Sequence, residues 1–485
     1  MKKKIFLINL ILLLFIAIIL IPSSAKYKDI ESMMTALLQD EYFENTTIAI
    51  SVFDFTSNKM LFNLNEKKMV HPGSVMKIMT CAAGLEYLGT DYNFETSVYH
   101  TGNISDSVCY GDIYIVGGFD PEFAEKDLDT LVYAIKEYGI KEIKGNLYAD
   151  ISNMDSIHWG NGWMWDDQPT PILPYLYPLS VNRGCLLIDL SPGKVGQPVK
   201  IELHPESDYF KVENNSITTA ENNFDIIVTR NWVERGNDIV ISGNMPKDAK
   251  EITRGISIAN PVHFFLSLTK QKFIENSIKF KGMEDINTLP ISSKLVYTKK
   301  RDIKIIVSTL LKRSDTFSAK MLLRALGLKY FNKPSSAQKG IQIIDSLITK
   351  IGLNHNNYEI VDGSGISHYN LVTSELFIEL FKYLKLKSPE TYEFLYESFP
   401  ISGVDGTLAG RAYNSDAFEN IHAKTGTIRG ASSIAGFLKS ADDHELGFAI
   451  FMQNFVGEPH KARHYQDVIC GYLSEIEIGE LKHQP

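Results

Sequence analysis

The sequence is poor in cysteine and lacks any motif that would gather cysteines around a metal. Its 485 residues hold four cysteines, with no Cys-x-x-Cys pair and no tight Cys/His cluster, so we expect no zinc site and no other metal. Cys81, Cys109, Cys185 and Cys470 allow three complete disulfide pairings, and the sequence does not choose among them. Cys81 lies in an apolar run and is expected to be a buried thiol.

Other absences exclude further classes of protein. The net charge is −9 and the body of the chain has no basic block, which argues against a nucleic-acid partner. A Gly-x-Ser-x-Gly motif is missing, which argues against an α/β-hydrolase; residues 362–367 (DGSGIS) have aspartate where the first glycine would be. There is no internal repeat. The composition is that of an ordinary globular protein, and a chain of 485 residues is long enough for two or three domains.

The N-terminus is typical of an exported protein. Lysines at positions 2–4 precede an apolar run at residues 5–21, and small residues follow before Lys26. This pattern predicts an export signal that is cleaved after Ala25. The run has 17 residues, at the short limit for a membrane span, so an uncleaved anchor is the alternative. In both cases the body of the chain lies outside the cytoplasm.

Residues 71–80 (HPGSVMKIMT) place one serine and one lysine in an apolar stretch. Residues 75–89 are apolar nearly all round and predict a buried helix that begins near Ser74 and ends at Gly89. Ser74 and Lys77 would then share one helix face. Taken alone, Lys77 fits a lysine whose charged end reaches out of a core helix.

The rest of the pattern predicts an α+β protein with an insertion. A strand hairpin precedes Ser74, and an antiparallel sheet with packed helices is expected near the C-terminus. We expect residues 26–92 and 258–485 to form one unit. Residues 93–257, with short strands and many turn residues, are expected to form an inserted region of two nested small domains.

Three short motifs point to acyl transfer. They occur in the order Ser74-Val75-Met76-Lys77, Ser314-Asp315-Thr316 and Lys424-Thr425-Gly426. Each is weak alone: Ser314 fits a helix cap, and Thr425 and Thr427 fit ordinary strand residues. Here the first motif opens a buried helix, the second lies at the start of another helix, and the third lies on a strand. In this order and with these positions, the three motifs match the signature of penicillin-binding proteins and class A β-lactamases.

The chemistry of acyl transfer assigns a role to each motif. Burial should lower the pKa of Lys77, so that its neutral amine can take the proton of the Ser74 hydroxyl. Ser314 can relay a proton to the leaving amine. The backbone N–H groups of Ser74 and Thr427 can form an oxyanion hole. Lys424, Thr425 and Thr427 offer a charge and hydroxyls to a substrate carboxylate.

Across residues 48–455 the sequence resembles one family, the serine D-Ala-D-Ala carboxypeptidases of the low-molecular-mass class C penicillin-binding proteins. Besides the three motifs, the resemblance rests on GDIYIVGGFDP, GNGWMWDD, SDTFSAKMLLRALG, VDGSGIS, PISGVDGTLAGR and AKTGTIRGASSIAGF. The separation of Ser74 and Ser314, 314 − 74 = 240 residues, is too long for a compact β-lactamase and agrees with the insertion known in this family.

The resemblance implies a penicillin-binding, β-lactamase-like transpeptidase domain, with helices on both faces of an antiparallel sheet. It also implies the substrate and partners. Ser74 would be acylated by peptidoglycan stem peptides ending in D-Ala-D-Ala and by β-lactams, with no cofactor, and some members also cleave cross-links as endopeptidases. By the same resemblance, Trp163 and Asp166 help bind the far end of the stem, and Gly426 belongs to the substrate strand.

This chain departs from the family pattern at two positions. Thr316 replaces the usual asparagine of the second motif, and it lacks the carboxamide that can both donate and accept. His368 stands where an arginine often meets the terminal carboxylate of the stem, and histidine is only partly charged near neutral pH. Two alternatives therefore remain beside the carboxypeptidase: a catalytically weakened peptidoglycan-binding protein, and a serine β-lactamase.

Overall fold

The structure, a computed structural model, describes residues 29–479. The predicted signal or anchor at residues 1–25 lies outside this range. Within it, no helix is both long and apolar enough to cross a membrane. The α-helices of this range are α1 (Ile30–Leu37), α2 (Met76–Leu88), α3 (Glu125–Glu137), α4 (Pro261–Glu275), α5 (Ile303–Arg313), α6 (Thr316–Tyr330), α7 (Ala337–Lys350), α8 (Ser374–Lys387), α9 (Pro389–Ser398) and α10 (His460–Glu475).

The strands of the same range form several sheets. They are β1 (Thr47–Asp54), β2 (Lys59–Leu64), β3 (Asn93–His100), β4 (Ile104–Ser105), β5 (Val108–Cys109), β6 (Ile113–Val116), β7 (Glu142–Ile143), β8 (Leu147–Asp150), β9 (Cys185–Ser191), β10 (Lys200–His204), β11 (Val212–Thr219), β12 (Ile227–Arg230), β13 (Ile239–Pro246), β14 (Ile252–Ser257), β15 (Lys279–Phe280), β16 (Glu284–Ile286), β17 (Lys294–Asp302), β18 (His422–Ile428), β19 (Ala431–Lys439) and β20 (Glu445–Gln453).

The sheet that carries the third motif is antiparallel and joins the two ends of the chain. Its 5 strands lie in the order β18-β19-β20-β1-β2. β1 pairs with β20 along its whole length, with Ile50 opposite Ile450. Strands from before and after the insertion therefore build one sheet.

Helices cover both faces of this sheet, so nearly every residue of β19 and β20 is buried. Successive side chains of a strand point to opposite faces. In β20, Phe448 and Ile450 belong to the hydrophobic cluster that includes α10. Ala449 and Phe451 belong to the cluster that includes α8. The predicted antiparallel sheet with helices on both faces is confirmed.

Helix α2 is the buried helix expected after Pro72. Its residues from Met76 to Leu85 are all buried, which explains why the sequence is apolar on every side. It packs against α6, the helix of the second motif. The first turn, Gly73–Val75, is a 3₁₀ turn, and the helix ends before Gly89, whose φ of 94° favours glycine.

The inserted region has its own mixed sheet, in the order β16-β8-β6-β3-β17. β3 pairs with β17, almost 200 positions later in the sequence, and β17 ends at Asp302. The boundary predicted at residue 257 therefore falls within the inserted region, which continues in these pairings to residue 302. β17 is an edge strand whose half-exposed residues include several charged ones, so its sequence lacks a clear alternation.

Three further sheets lie in the inserted region. Two are three-stranded, with the orders β10-β9-β14 and β11-β13-β12, and one is four-stranded, with the order β15-β7-β5-β4. Their buried residues share one hydrophobic cluster with β6, α3 and α4. Helix α4 lies after residue 257 in the sequence but packs in this cluster, consistent with the later end of the region.

Candidate active site

Ser74 and Lys77 meet at the start of the buried helix. Ser74 lies in the 3₁₀ turn and is 8% exposed, whereas Lys77, in the first turn of α2, is fully buried. The Lys77 Nζ donates to Ser74 Oγ at 2.7 Å and to the Ser364 carbonyl oxygen at 2.9 Å. The amine is thus held on the hydroxyl by a second contact from a distant loop.

The surroundings of Lys77 weaken its preference for the charged form. Burial lowers the pKa of Lys77 to about 8, partly offset by the negative charges of Asp362 and Asp315, while the charge of Lys320 lowers it further. A pKa near the working pH suits a general base, because a useful fraction of the amine is then unprotonated.

One cleft of about 520 Å³ gathers residues from all three motifs. The sequence-predicted residues that line it are Ser74, Ser314, Thr316, Thr425, Gly426 and Thr427. These come from the 3₁₀ turn before α2, from the junction of α5 with α6, and from β18. The cleft therefore opens onto the hydroxyl of Ser74 between two helices and an edge strand.

The second motif lies at the junction of α5 and α6. Asp315 is the N-cap of α6, and its carboxylate accepts from the Ser318 N–H at 2.6 Å. Ser314 ends α5 in the left-handed region with φ 58°, a conformation that is uncommon for a residue other than glycine. Because Asp315 caps the helix, the Ser314 hydroxyl is not needed for capping.

Strand β18 approaches the turn of Ser74 so closely that side chains are excluded. A Cβ on Gly426 would lie 2.8 Å from the Ser74 nitrogen, and a Cβ on Gly73 would lie 3.0 Å from the Thr427 nitrogen. The two backbone N–H groups expected to form an oxyanion hole are thus carried by segments in direct contact. Glycine at both positions permits that contact.

Lys424 of β18 is fully buried. Its Nζ donates to the Thr425 carbonyl oxygen at 2.7 Å. Burial lowers its pKa well below the ordinary value, and the charge of Lys77 acts in the same direction. Thr425 in turn donates from its hydroxyl to Thr407 at 2.8 Å, beside the cleft.

An ion pair that sequence reasoning missed supports the loop behind Lys77. Asp362 is fully buried and lies 2.8 Å from the Lys320 Nζ, which is also buried. The Asp362 carboxylate accepts from the backbone N–H groups of Ser364 at 2.9 Å and Gly365 at 2.6 Å. It therefore shapes the turn whose carbonyl holds Lys77. The only sequence signal was an aspartate that begins a glycine-rich turn.

The cleft also holds arginines that the sequence reasoning did not single out. Arg313, Arg411 and Arg463 line it. The Arg463 Nη2 donates to Thr427 Oγ1 at 3.3 Å. Arg411 is held by the carboxylate of Asp467. Positive charge beside Thr427 is suited to an anionic substrate group.

The other residues predicted to bind the stem peptide are Trp163, Asp166 and His368. Trp163 is buried, packs edge-on against Trp159 and has the Lys320 Nζ 4.9 Å from its ring. Asp166 is exposed. The ring of His368 lies 5.6 Å from that of His71, and burial followed by the His71 charge lowers the pKa of His368. None of these three lines the cleft at Ser74.

All four cysteines are free, buried thiols. Burial raises the pKa of Cys185 to about 12, and burial also raises the pKa of Cys81 and Cys470. None of the three pairings that the sequence allowed is formed. The expected buried thiol at Cys81 is confirmed.

The fold and the serine–lysine pair define a penicillin-binding, serine-type peptidase. Residues 30–475 match the D-Ala-D-Ala carboxypeptidase 3 (S13) family, and the chain belongs to that family. The resemblance noted in the sequence is thereby confirmed.

Curated relatives cover nearly the whole chain. A D-alanyl-D-alanine carboxypeptidase of Actinomadura sp. strain R39 is 26% identical over 93% of this chain and 86% of its own length. The D-alanyl-D-alanine carboxypeptidase DacB of Haemophilus influenzae is 24% identical, covering 85% of this chain and 86% of its own.

A solved structure shares the fold. Penicillin-binding protein 4 of Haemophilus influenzae superposes with a TM-score of 0.79 at 23% identity, covering 90% of this chain and 97% of that one. A second structure of that protein, in complex with a β-lactam, gives a TM-score of 0.75 at 22% identity, covering 91% of this chain and 99% of that one. The predicted α+β penicillin-binding fold is confirmed.

Proposed function

We propose that this chain is a serine D-Ala-D-Ala carboxypeptidase that cleaves peptidoglycan stem peptides through an acyl-enzyme on Ser74. The observation that carries the proposal is the 2.7 Å contact between Lys77 Nζ and Ser74 Oγ, made by a fully buried lysine. A neutral amine at this distance can accept the hydroxyl proton without any group having to move.

In the proposed first step, Lys77 takes the proton of Ser74 as Oγ attacks the carbonyl carbon of the penultimate D-Ala. The oxyanion is stabilised by the backbone N–H groups of Ser74 and Thr427. Collapse breaks the peptide bond, and the leaving amine of the terminal D-Ala receives its proton through Ser314. The result is an ester on Ser74 and free D-alanine.

In the second step a water molecule attacks this ester. Ser314 and Lys77 then transfer the proton of the water in the reverse order, so that Ser74 regains its hydroxyl proton. Lys424, Thr425 and Thr427 are the proposed partners of the terminal carboxylate, with the backbone of Gly426 alongside the substrate. β-Lactams would acylate the same serine. The same chemistry would cleave a D-Ala–diaminopimelate cross-link, because the leaving group is again an amine.

The far end of the stem is assigned to the segment around Trp163, Asp166 and His368. Since Asp166 is exposed and Trp163 is packed, Asp166 supplies the free carboxylate and Trp163 supports the segment. Peptidoglycan lies outside the cytoplasm, which agrees with an export signal or anchor at residues 1–25.

The direct test is labelling with a fluorescent penicillin, combined with D-alanine release from soluble pentapeptides. We expect the wild type to be labelled and to release D-alanine, and the Ser74→Ala variant to do neither. Absence of labelling in the wild type would contradict an acyl-enzyme on Ser74. Pentapeptides that differ at the third residue would show which stem is preferred at His368.

Thr316 motivates the second candidate, a peptidoglycan-binding protein with weakened catalysis. Thr316 is only 4% exposed and lines the cleft where the family has asparagine. Binding of the pentapeptide without any release of D-alanine at long times would favour this candidate. Rapid turnover of nitrocefin would instead favour a β-lactamase.

A further inference from the structure

A second cleft, here called the tryptophan cleft, lies in the inserted region. It has a volume of about 690 Å³ and shares no lining residue with the cleft at Ser74. All four tryptophans of the chain line it, together with two tyrosines: Trp159, Trp163, Trp165, Trp232, Tyr175 and Tyr177. Such a concentration of aromatic rings around one opening is typical of a binding site rather than of a folding core.

Two of the tryptophans stand at the mouth of this cleft on separate turns. Trp165 lies in the 3₁₀ turn Trp165–Asp167, and Trp232 lies in the turn Trp232–Glu234 of the β12–β13 connection. Their ring centroids are 5.2 Å apart, with a 34° angle between the planes. Trp165 is 71% exposed. A large apolar ring left in water at a concave site is commonly a ligand contact.

The two turns are held together by a buried arginine. Arg230 is 2% exposed, and its guanidinium donates to Gln168 Oε1 at 2.5 Å, to the Gly236 carbonyl at 2.9 Å and to the Ser257 carbonyl at 2.7 Å. Gln168 in turn donates to the Tyr175 hydroxyl at 2.9 Å. The walls are therefore fixed before any ligand arrives, which lowers the entropic cost of binding.

The polar groups of the cleft narrow the class of ligand. Its lining includes Gln168, Arg235 and His158 but no aspartate or glutamate. Flat aromatic faces suit the apolar C–H face of a pyranose ring, and the polar groups suit hydroxyls, acetamido groups and carboxylates. A lining with positive charge and no acid accepts both neutral and acidic sugars.

One segment connects the tryptophan cleft with the catalytic cleft. Ile172, which lines the cleft at Ser74, lies between Gln168 and Tyr175, which line the tryptophan cleft. A ligand in one cleft therefore touches the same segment as a ligand in the other. In peptidoglycan, each stem peptide hangs from a glycan strand, so a polymer of this kind has parts for both clefts.

We propose that the tryptophan cleft binds the N-acetylated glycan strand of peptidoglycan and so directs an attached stem peptide to Ser74. This rests on the proposed function for the substrate, but the cleft can be tested without catalysis. A short stretch of two or three sugar rings is the chemical unit that two adjacent indoles and a polar lining would recognise.

Intrinsic fluorescence gives a direct binding assay, because every tryptophan of the chain lines this cleft. The Ser74→Ala protein would be titrated with peptide-free glycan strands and with a tetramer of N-acetylglucosamine. We expect both to change the tryptophan emission in a saturable way. A response to the tetramer alone, and none to the strands, would overturn the assignment to peptidoglycan.

The matched functional test compares two substrates in three proteins. The Trp232→Ala variant should release D-alanine from polymeric peptidoglycan about threefold more slowly than the wild type, since the loss of one stacking contact weakens binding severalfold. Release from a soluble pentapeptide should stay unchanged. Tyr133→Ala, which removes an exposed aromatic residue of α3 outside both clefts, is the control and should match the wild type on both substrates.

The outcomes separate the two proposals. If the wild type does not release D-alanine from the soluble pentapeptide, the proposed catalysis is wrong. Glycan binding in the tryptophan cleft is then tested by the fluorescence titration alone. If the Trp232→Ala variant equals the wild type on polymer, or if glycan strands leave the emission unchanged, the glycan proposal is wrong. Binding of another protein at the cleft, without any response to glycan strands, would also overturn it.

Discussion

The Lys320 Nζ lies 2.8 Å from an Asp362 carboxylate oxygen, and both side chains are almost wholly buried. Lys320 belongs to the helix of the second motif, and Asp362 shapes the turn that holds Lys77 through the Ser364 carbonyl. The pair thus links the second motif with the base of the first. Burial would otherwise raise the pKa of Asp362, but Lys320 and the backbone N–H groups lower it to about 2.

Asp362→Asn should be strongly destabilising, because it leaves the Lys320 charge buried without a partner. We expect a loss of about 3–5 kcal/mol in the free energy of unfolding, measured by urea denaturation. The Lys320→Met/Asp362→Asn variant removes both charges and should recover much of that loss. If the single variant loses less than about 1 kcal/mol in the free energy of unfolding, the ion pair does not stabilise the fold as proposed.

Acylation should depend on pH through Lys77. Because the pKa of Lys77 is about 8 and the neutral amine is the base, the acylation rate should rise as the pH rises toward 8 and level off above it. Below that value the rate should change about tenfold per pH unit. The measurement is the second-order rate constant for penicillin labelling between pH 6 and pH 10. A rate that is already maximal at pH 6 would contradict a lysine base with this pKa.

Thr316→Asn should speed the reaction, since it restores the carboxamide found in the family. One additional hydrogen bond to the substrate or to a lysine contributes about 0.5–1.5 kcal/mol, or up to about tenfold in kcat/KM for pentapeptide hydrolysis. Thr316→Val is the matched control, because it has the same shape without a hydroxyl. It should not accelerate the enzyme, and an equal gain in both variants would show that packing is responsible.

Arg463→Ala should weaken recognition of the terminal carboxylate. Arg463 donates to Thr427 at the edge of the cleft, and a hydrogen bond from a charged group contributes about 1.5–3 kcal/mol. We expect KM for a pentapeptide with a free carboxylate to rise about tenfold with little change in kcat. A peptide with an amidated C-terminus should be affected much less. Equal effects on both peptides would exclude a role in carboxylate binding.

The sequence predicted the elements that carry the motifs because their signals are local. Pro72-Gly73 and Gly89 enclose α2, which the sequence predicted to begin near Ser74 and end at Gly89. The end of the inserted region was not predictable, since β17 is recognised only by its pairing with distant β3. The same holds for the Lys320–Asp362 pair, which in sequence is two ordinary charged residues 42 positions apart.

The expectations for Trp163 and Asp166 came from a motif, which assigns residue types without showing their exposure. The structure packs Trp163 against Trp159 and leaves Asp166 in solvent. The tryptophan cleft was equally hard to predict, because four strands, β9 to β12, separate Trp165 from Trp232 in the sequence. Spatial clustering of this kind depends on tertiary structure.

The contact between the ends of the chain has a consequence for biosynthesis. The Ser433 hydroxyl donates to the Pro72 carbonyl at 2.6 Å, across 361 positions of the sequence. In addition, β1 pairs with β20, so the sheet that carries the third motif cannot form until β20 has been synthesised. A chain emerging from the ribosome therefore displays Ser74 long before β18 and β20 exist. Until those last strands are synthesised, the serine lacks the strand that completes its cleft, so we expect a chain that ends before β18 to remain unlabelled by penicillin.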